Sequence, residues 1–165
     1  MTSKVPPHGS DLLVDLLVEP EYSEELKNVS GGYPSLTLSH RQMCDLELLI
    51  IGAFTPLQGF MGQAAYDSVV ESLTLPDGGA LWPIPIVLDV TEAFAEKLAV
   101  GDRVALRDGE GFMPAVLTVE DIWRPDRQRE AELVYGTGDA AHPGVRYLTS
   151  CVNPVYVGGR IEGVQ

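Results

Sequence analysis

The sequence predicts an α+β fold in which helices precede and interrupt a small, barrel-like antiparallel sheet. Two observations support this prediction. Apolar residues recur at helical spacing in the N-terminal half, and they alternate with a period of two from residue 82 onward. No internal repeat or low-complexity linker divides the 165 residues, and 45% of them are hydrophobic. We therefore expect a single domain over residues 1–165 with a buried core.

The first predicted elements are two short helices and a strand. Residues 11–19 (DLLVDLLVE) form an amphipathic pattern that ends at Pro20, because proline cannot continue a helix. Residues 22–28 predict a second helix, which ends at the loop of residues 30–34. Residues 36–38 alternate as in a strand.

The next helix has clear signals at both ends. Ser39 fits its N-cap, Gln42 completes a capping box, and Gly52 can end a helix over residues 40–51. Apolar residues occupy two neighbouring faces of this helix, which predicts burial on most sides. These residues are Met43, Leu46 and Ile50 on one face and Cys44, Leu48 and Ile51 on the other.

Residues 63–73 predict another helix, with Val69, Val70 and Leu73 facing inward, and a turn follows at residues 76–79. The period of two then begins.

Residues 82–90 (WPIPIVLDV) predict a strand whose start cannot be paired on one side, because Pro83 and Pro85 both lack an N–H there. Thr91 can cap a short helix that ends near residue 98. The remaining predicted elements are a strand at 103–107, a hairpin turn at 108–111, a strand at 112–119, a helix from its cap at Asp126 to Gly136, and sheet-closing pieces at 147–148 and 155–157.

The charge balance disfavours two classes of partner. Eleven Lys and Arg residues accompany 24 Asp and Glu residues, for a net charge of −13. Nucleic acids and anionic membrane surfaces attract basic patches. The densest basic cluster here is only Arg124, Arg127 and Arg129, so we expect neither partner.

Cysteine usage and the N-terminal composition indicate the compartment. Cys44 and Cys151 lie far apart and match no metal-binding or redox spacing, which is typical of a reduced cytosolic protein. The first ten residues lack the apolar core of a signal peptide, and no apolar run is long enough to span a membrane. We expect a soluble, cytoplasmic protein.

The common phosphate and nucleophile motifs are absent: GxxxxGK[ST], GxGxxG, GxSxG and HExxH do not occur. The short run at residues 136–138 (GTG) lacks a following lysine, which favours a helix-ending turn over a phosphate site. His8 and His142 lie in Pro/Gly-rich loops, where a hydrogen-bonded or solvated imidazole is favoured over a functional one.

One cluster has metal-ligand spacing. His40, Cys44 and Glu47 lie at i, i+4 and i+7 of a predicted helix, with the Glu47 carboxylate partly buried, and a fourth ligand from elsewhere would complete a site. The favoured alternative is that Glu47 pairs with an arginine or accepts backbone N–H groups. Glu120 and Asp121 point to opposite faces of a strand, so they are interpreted as a solvated acidic rim beside the helix start at Asp126.

Six segments occur in a characteristic order along nearly the whole chain: Pro7-His8-Gly9, LTLSHRQMCDLELLIIGAFTPLQGFM (36–61), LPDGGALWPIPIVLDV (75–90), GDRVALRD (101–108), LTVEDIWRPDRQREAELVYGTGDAAHPGV (117–145) and YVGG (156–159). Together these segments resemble the N-terminal, PUA-like domain of ATP sulfurylase (sulfate adenylyltransferase). The resemblance implies a PUA-like small β-barrel with N-terminal and inserted helices. Ser10 departs from the pattern, where the family often has a second glycine.

The resemblance also implies where catalysis takes place. The family joins ATP and sulfate to give adenosine 5′-phosphosulfate and pyrophosphate, in a second, nucleotidyltransferase-like domain with a Gln-x-Arg-Asn stretch followed by two histidines that are spaced by two residues. Neither element occurs here, and Gln165 falls where the family would continue toward that domain. We therefore expect no catalytic, cofactor-binding or metal-binding residue in this chain, no cofactor, and no activity from it alone.

The expected partner is a catalytic domain of ATP sulfurylase, in cis or in trans, with a homo-oligomer as a further possibility. Arg41, Arg107 and Arg146 are candidates to project toward its cleft. Two alternatives stay open: an autonomous PUA-like module for RNA or a protein, and one subunit of a split enzyme. The charge of −13 opposes RNA.

Overall fold

The computed structural model describes residues 5–76 and 79–164 of the chain. Its helices and strands in chain order are α1 (Pro20–Val29), β1 (Ser35–Thr37), α2 (His40–Ile50), β2 (Gly59–Phe60), α3 (Gln63–Ser72), β3 (Leu88–Val90), α4 (Glu92–Ala95), β4 (Arg103–Arg107), β5 (Ala115–Trp123), α5 (Arg127–Tyr135), α6 (Pro143–Ser150) and β6 (Val155–Gly163). None of the described helices is long and apolar enough to cross a lipid bilayer.

The strands form one mixed sheet, and the predicted α+β class is confirmed. Pairing follows the order β1-β4-β5-β6-β2, and β3 also pairs with β6. The β4–β5, β2–β6 and β3–β6 pairs are antiparallel. β1, however, runs parallel to β4, with Ser35 opposite Ala105. The antiparallel prediction is wrong there, because the long connection from β1 to β4 can act as a crossover.

The described chain divides into two compact units, each assembled from separate segments. Unit 1 comprises residues 5–60, 101–119 and 159–164, and unit 2 comprises residues 61–76, 79–100 and 120–158. The long strands β5 and β6 supply residues to both units.

The core of unit 1 joins α1 to the sheet. Leu26 of α1 packs with Ala105 of β4, Val116 of β5, Met113 and Val164, and all five are buried. Alternate residues of a strand share a face, so β4 and β5 present their small and branched side chains to the helix together.

Unit 2 contains a second apolar cluster between its last two helices. Ala131 of α5 packs with Val145 and Leu148 of α6, and Tyr135 covers the edge of the cluster. Because residues 147–148 lie in α6, the prediction that they form a sheet-closing strand piece is wrong. His142, predicted to lie in a loop, caps α6 by accepting a hydrogen bond from an N–H group of its first turn.

Residues 11–19 form bends, loop and one isolated bridge between Leu17 and Gly163, so the helix predicted there is wrong. The Val18 N–H donates to the Gly163 carbonyl at 3.0 Å, and the Val14 N–H donates to Thr55 Oγ1 at 3.0 Å. These backbone groups find partners far away in the sequence, and that tertiary pairing outweighs the local helical pattern.

The ends of α2 match the prediction, whereas its burial does not. Ser39 and Gln42 form the predicted capping box, and Gly52 follows the last turn with a φ of +75°. The buried residues of α2 are Gln42, Leu46, Leu49 and Ile50. Cys44 and Ile51 are exposed, and Leu48 is 36% exposed, so the expected burial of α2 on most sides is wrong.

The other predicted elements differ mainly at their ends. The predicted strand over residues 82–90 is regular only in β3, consistent with the two prolines at its start, and Ile84 is exposed. Val69 and Val70 are buried as predicted, but Leu73 ends α3 with a φ of +56° and is partly exposed.

The turn predicted at residues 76–79 includes Asp77 and Gly78, which lie outside the described residues. The caps at Thr91 and Asp126 and the strand at 103–107 are confirmed.

Candidate functional site

The most concentrated buried polar chemistry is a carboxylate held by two phenols in unit 2. The Tyr66 hydroxyl of α3 donates to Glu130 Oε2 at 2.9 Å, and the Tyr156 hydroxyl of β6 donates to the same oxygen at 3.1 Å. Glu130 of α5 is only 4% exposed. Trp123 completes the cluster, because its ring lies edge-on to Tyr156 with 5.6 Å between the ring centroids.

Burial and the Glu130 carboxylate fix the protonation of the two phenols. Burial first, and the neighbouring carboxylate second, raise the pKa of Tyr66 and of Tyr156 well above the ordinary phenol value. Both hydroxyls therefore stay protonated and act only as hydrogen-bond donors near neutral pH. The cluster fastens α3, α5 and β6 together within unit 2.

Two arginines of the densest run, Arg124 and Arg129, are paired with acidic neighbours. Arg124 forms an ion pair with Glu92. Arg129 pairs with Asp67 at 3.4 Å and also with Glu71. With these cations engaged, the run offers little positive potential to a polyanion such as a nucleotide.

The predicted metal cluster lies on the exposed side of α2. Cys44 Sγ is 4.0 Å from His40 Nε2, and Glu47 is exposed. The expectation of a partly buried Glu47 carboxylate is therefore wrong. Among residues 5–76 and 79–164, no group of three or more His, Cys, Asp or Glu side chains is placed to hold a metal ion.

The loop of residues 136–142 uses its own polar groups to hold its shape. The Asp139 N–H donates to Thr137 Oγ1 at 3.1 Å, and the Ala141 N–H donates to Asp139 Oδ1 at 2.8 Å. His142 Nδ1 accepts from the Gly144 N–H at 3.2 Å. The structure thus supports the turn interpretation of this loop. His8, the other loop histidine, is exposed.

Asp121 has a structural task that sequence reasoning missed. α3 begins after Gly62, which has no side chain to cap it, and Asp121 Oδ2 of β5 accepts from the Gln63 N–H at 2.8 Å. The interpretation of Asp121 as part of a solvated acidic rim is therefore wrong. Glu120 is exposed.

The described residues of unit 1 line two cavities large enough for a small ligand. One, of about 300 Å³, is lined by Thr118, Arg160 and Glu162 among others, and Glu162 pairs with Arg103. The other, of about 430 Å³, lies beside Lys27 and Arg107. Lys27 is paired with Glu24, while Arg107 donates to Ser35 Oγ and to the Gly111 carbonyl. Lys27, Arg103 and Arg107 are therefore already bonded to other groups of the protein.

The three arginines proposed to face a catalytic partner have different surroundings. Arg41 forms an ion pair with Asp45 at 2.8 Å and is partly buried. Arg107 holds the β4–β5 turn, as described above, and Arg146 of α6 is exposed. Their roles toward a partner stay predictions.

The buried Tyr66, Glu130 and Tyr156 cluster was absent from the sequence predictions. The sequence contains only a weak sign that the Glu130 carboxylate is buried, because Glu130 directly precedes Ala131, which faces the core from α5. Its two phenol donors come from positions 64 and 26 residues away. No local pattern connects residues so far apart.

Comparison with known proteins identifies the class. The family model described as a PUA-like domain matches residues 5–165. The chain therefore belongs to the PUA-like domain family.

Its relatives within that class share one name. The chain is 47% identical over 163 residues to the sulfate adenylyltransferase of Aspergillus fumigatus, and 49% identical over 144 residues to that of Schizosaccharomyces pombe. These matches cover 96% and 86% of this chain, but 28% and 29% of the relatives. The resemblance found in the sequence is confirmed.

A solved structure is also similar. "Hexameric APS kinase from Thiobacillus denitrificans" superposes with a TM-score of 0.72 and 34% identity, over 97% of this chain and 27% of that one. The chain thus spans little more than a quarter of the length of the relatives it matches.

Proposed function

We propose that this chain is the non-catalytic N-terminal domain of a sulfate adenylyltransferase, which joins ATP and sulfate to give adenosine 5′-phosphosulfate and pyrophosphate. The domain packs against and supports a catalytic domain, in cis or in trans. The whole of residues 1–165 acts as one supporting module and contributes no catalytic, cofactor-binding or metal-binding residue.

The observation that carries the proposal is the extent of the similarity. At 47% identity the match covers 96% of this chain but only 28% of the Aspergillus fumigatus sulfate adenylyltransferase. A segment shared so completely with a much longer enzyme is expected to serve as one domain of such an enzyme.

Electrostatics support a non-catalytic role. Adenylyl transfer between ATP and sulfate requires converging cations or a metal to offset transition-state charge. The net charge here is −13, and Arg41, Arg124 and Arg129 are all held by carboxylates. Two free, exposed cysteines fit a reducing cytoplasm, where we place the protein.

A chimera tests the proposal. This chain replaces the matching segment of the Aspergillus fumigatus enzyme, and pyrophosphate release from ATP and sulfate is measured. The controls are the same enzyme without that segment and this chain alone. We expect an active chimera and two inactive controls. Turnover by this chain alone, or a chimera no better than the truncated enzyme, would contradict the proposal.

A further inference from the structure

We propose that one exposed face of unit 1 is the docking surface for the catalytic domain, an inference that rests on the proposed function. This face, here called the α2 surface, consists of Leu12, Leu13, Cys44, Leu48 and Ile51. Its occupant is an apolar face with a basic rim on the part of the enzyme that this chain lacks relative to its longer relatives.

The α2 surface is apolar and open to solvent. Leu12 is 78%, Leu13 61% and Ile51 63% exposed. Cys44, Leu48 and Ile51 fall within about 60° of each other around the axis of α2, so they form a continuous stripe on the side opposite the buried Leu46 and Leu49. A contiguous apolar patch on a protein surface is typical of an interaction site, whereas apolar residues that are exposed singly are not.

Leu13, which precedes α1 in the chain, lies beside this stripe. An added Cβ on Gly52 would lie 2.9 Å from Leu13 Cγ and 2.3 Å from the Val14 carbonyl oxygen. Thr55 Oγ1 accepts from the Val14 N–H and donates to the Gly52 carbonyl at 2.7 Å. The residue before Gly52 is Ile51, so Leu13 lies at the end of the helical stripe. The backbone next to Leu13 is therefore held against the end of α2 before a partner binds, which lowers the entropy cost of docking.

The charges beside the α2 surface indicate what kind of partner would bind there. Asp11 and Glu47, both exposed, adjoin the apolar residues, and the chain as a whole carries a charge of −13. Two copies meeting through this face would bring like charges together, which disfavours a homodimer. A basic rim on the partner would complement Asp11 and Glu47. The longer relatives contain a large further part that this chain does not match, since the match covers only 28% of the Aspergillus fumigatus enzyme.

The chain contains its own reporter and control. Cys44 lies on the α2 surface, and Cys151, in unit 2, is the other free and exposed cysteine. We would measure iodoacetamide alkylation of each cysteine by peptide mass spectrometry, in this chain alone and in the chimera described above. We expect alkylation of Cys44 to be at least about tenfold slower in the chimera, while Cys151 changes little, because a docked surface excludes the reagent.

Matched variants test the same surface without relying on cysteine chemistry alone. Ile51→Lys places a cation in the α2 surface, whereas Val100→Lys makes the same change at a site in unit 2 with similar exposure, 68% against 63%. In the chimera, Ile51→Lys should restore Cys44 alkylation toward the rate in the isolated chain. Val100→Lys should leave Cys44 protected.

The outcomes separate this inference from the proposed function. An active chimera in which Cys44 reacts as fast as in the isolated chain overturns the inference and leaves the function intact. An inactive chimera with Cys44 protected supports the docking surface but contradicts the function, and an inactive chimera with reactive Cys44 overturns both. Protection of Cys44 in the isolated chain that grows with concentration assigns the surface to a second copy, and so overturns the inference.

Discussion

At the scale of single residues, the buried Glu130 determines how tightly unit 2 is held. One carboxylate oxygen accepts hydrogen bonds from Tyr66 and Tyr156 at 2.9 and 3.1 Å. A buried acceptor shared by two donors is costly to remove, because both donors then lose their partner in a place without water.

Replacement of Glu130 should therefore destabilise the protein according to what acceptor remains. Glu130→Leu strands both phenols and is expected to lower the free energy of unfolding by about 2–4 kcal/mol. Glu130→Gln keeps one carbonyl oxygen as an acceptor and should cost less. Urea denaturation measures both, and equal losses for the two variants would contradict the role assigned to this oxygen.

The same pair of phenols predicts a loss of stability in alkali. The pKa of Tyr66 and of Tyr156 is raised in the folded state, so folding favours the protonated phenols. This stability is complete below the unfolded pKa of about 10 and is lost as the pH rises above it, by up to roughly 1.4 kcal/mol per pH unit for each phenol.

Unfolding free energies measured between pH 8 and pH 11 check this expectation. Tyr66→Phe removes one of the two titrating groups and should make the decline above pH 10 less steep. A decline of the same slope in the variant would show that Tyr66 does not titrate differently in the folded state.

At the scale of elements, the features with short-range causes were the ones that the sequence predicted well. The capping box of Ser39 and Gln42 and the cap at Asp126 depend on bonds over three residues. The hairpin before β5 is closed by Asp108 and Phe112, four residues apart. Each of these contacts can be recognised from side-chain type and spacing alone.

The elements that sequence reasoning missed have long-range causes. Residues 11–19 have helical periodicity, but the Val14 and Val18 N–H groups bond to Thr55 and Gly163, so the segment forms no helix. Tyr66, Glu130 and Tyr156 likewise meet only in the folded chain. The helix α6 was missed for a different reason, because its apolar residues are few and its cap is a histidine.

The cap of α3 predicts a stability effect from a residue outside that helix. Asp121→Ala removes the acceptor of the Gln63 N–H and should lower the free energy of unfolding by about 1 kcal/mol, the usual value of an N-cap. Ser150→Ala, an exposed change at the last residue of α6, is the control and should have no measurable effect. Chemical denaturation measures both variants. An unchanged denaturation midpoint for Asp121→Ala would show that the hydrogen bond from the Gln63 N–H to Asp121 does not stabilise α3.

At the scale of the whole molecule, charge is the dominant property. The net charge is −13, with 24 acidic and 11 basic residues. Several of the cations are engaged in ion pairs that are partly or largely exposed, among them Arg124 with Glu92 and Lys27 with Glu24. Exposed pairs contribute little to stability. The acidic residues in excess of the basic ones repel one another across the surface, and this repulsion opposes the compact state.

Salt should therefore stabilise this protein, although it weakens ion pairs in general. Raising sodium chloride to about 0.15 M shortens the screening length to about 8 Å, which reduces repulsion among the excess carboxylates more than it costs the exposed pairs. We expect a gain of about 1 kcal/mol, seen as a rise in Tm of roughly 2–4 °C by thermal denaturation. Chloride is the proper anion, because sulfate stabilises proteins by exclusion from their surfaces regardless of charge. A Tm that falls with added chloride would mean that the ion pairs stabilise the fold more than the net repulsion destabilises it. The excess negative charge would then no longer be a reason to exclude a nucleotide site in this chain.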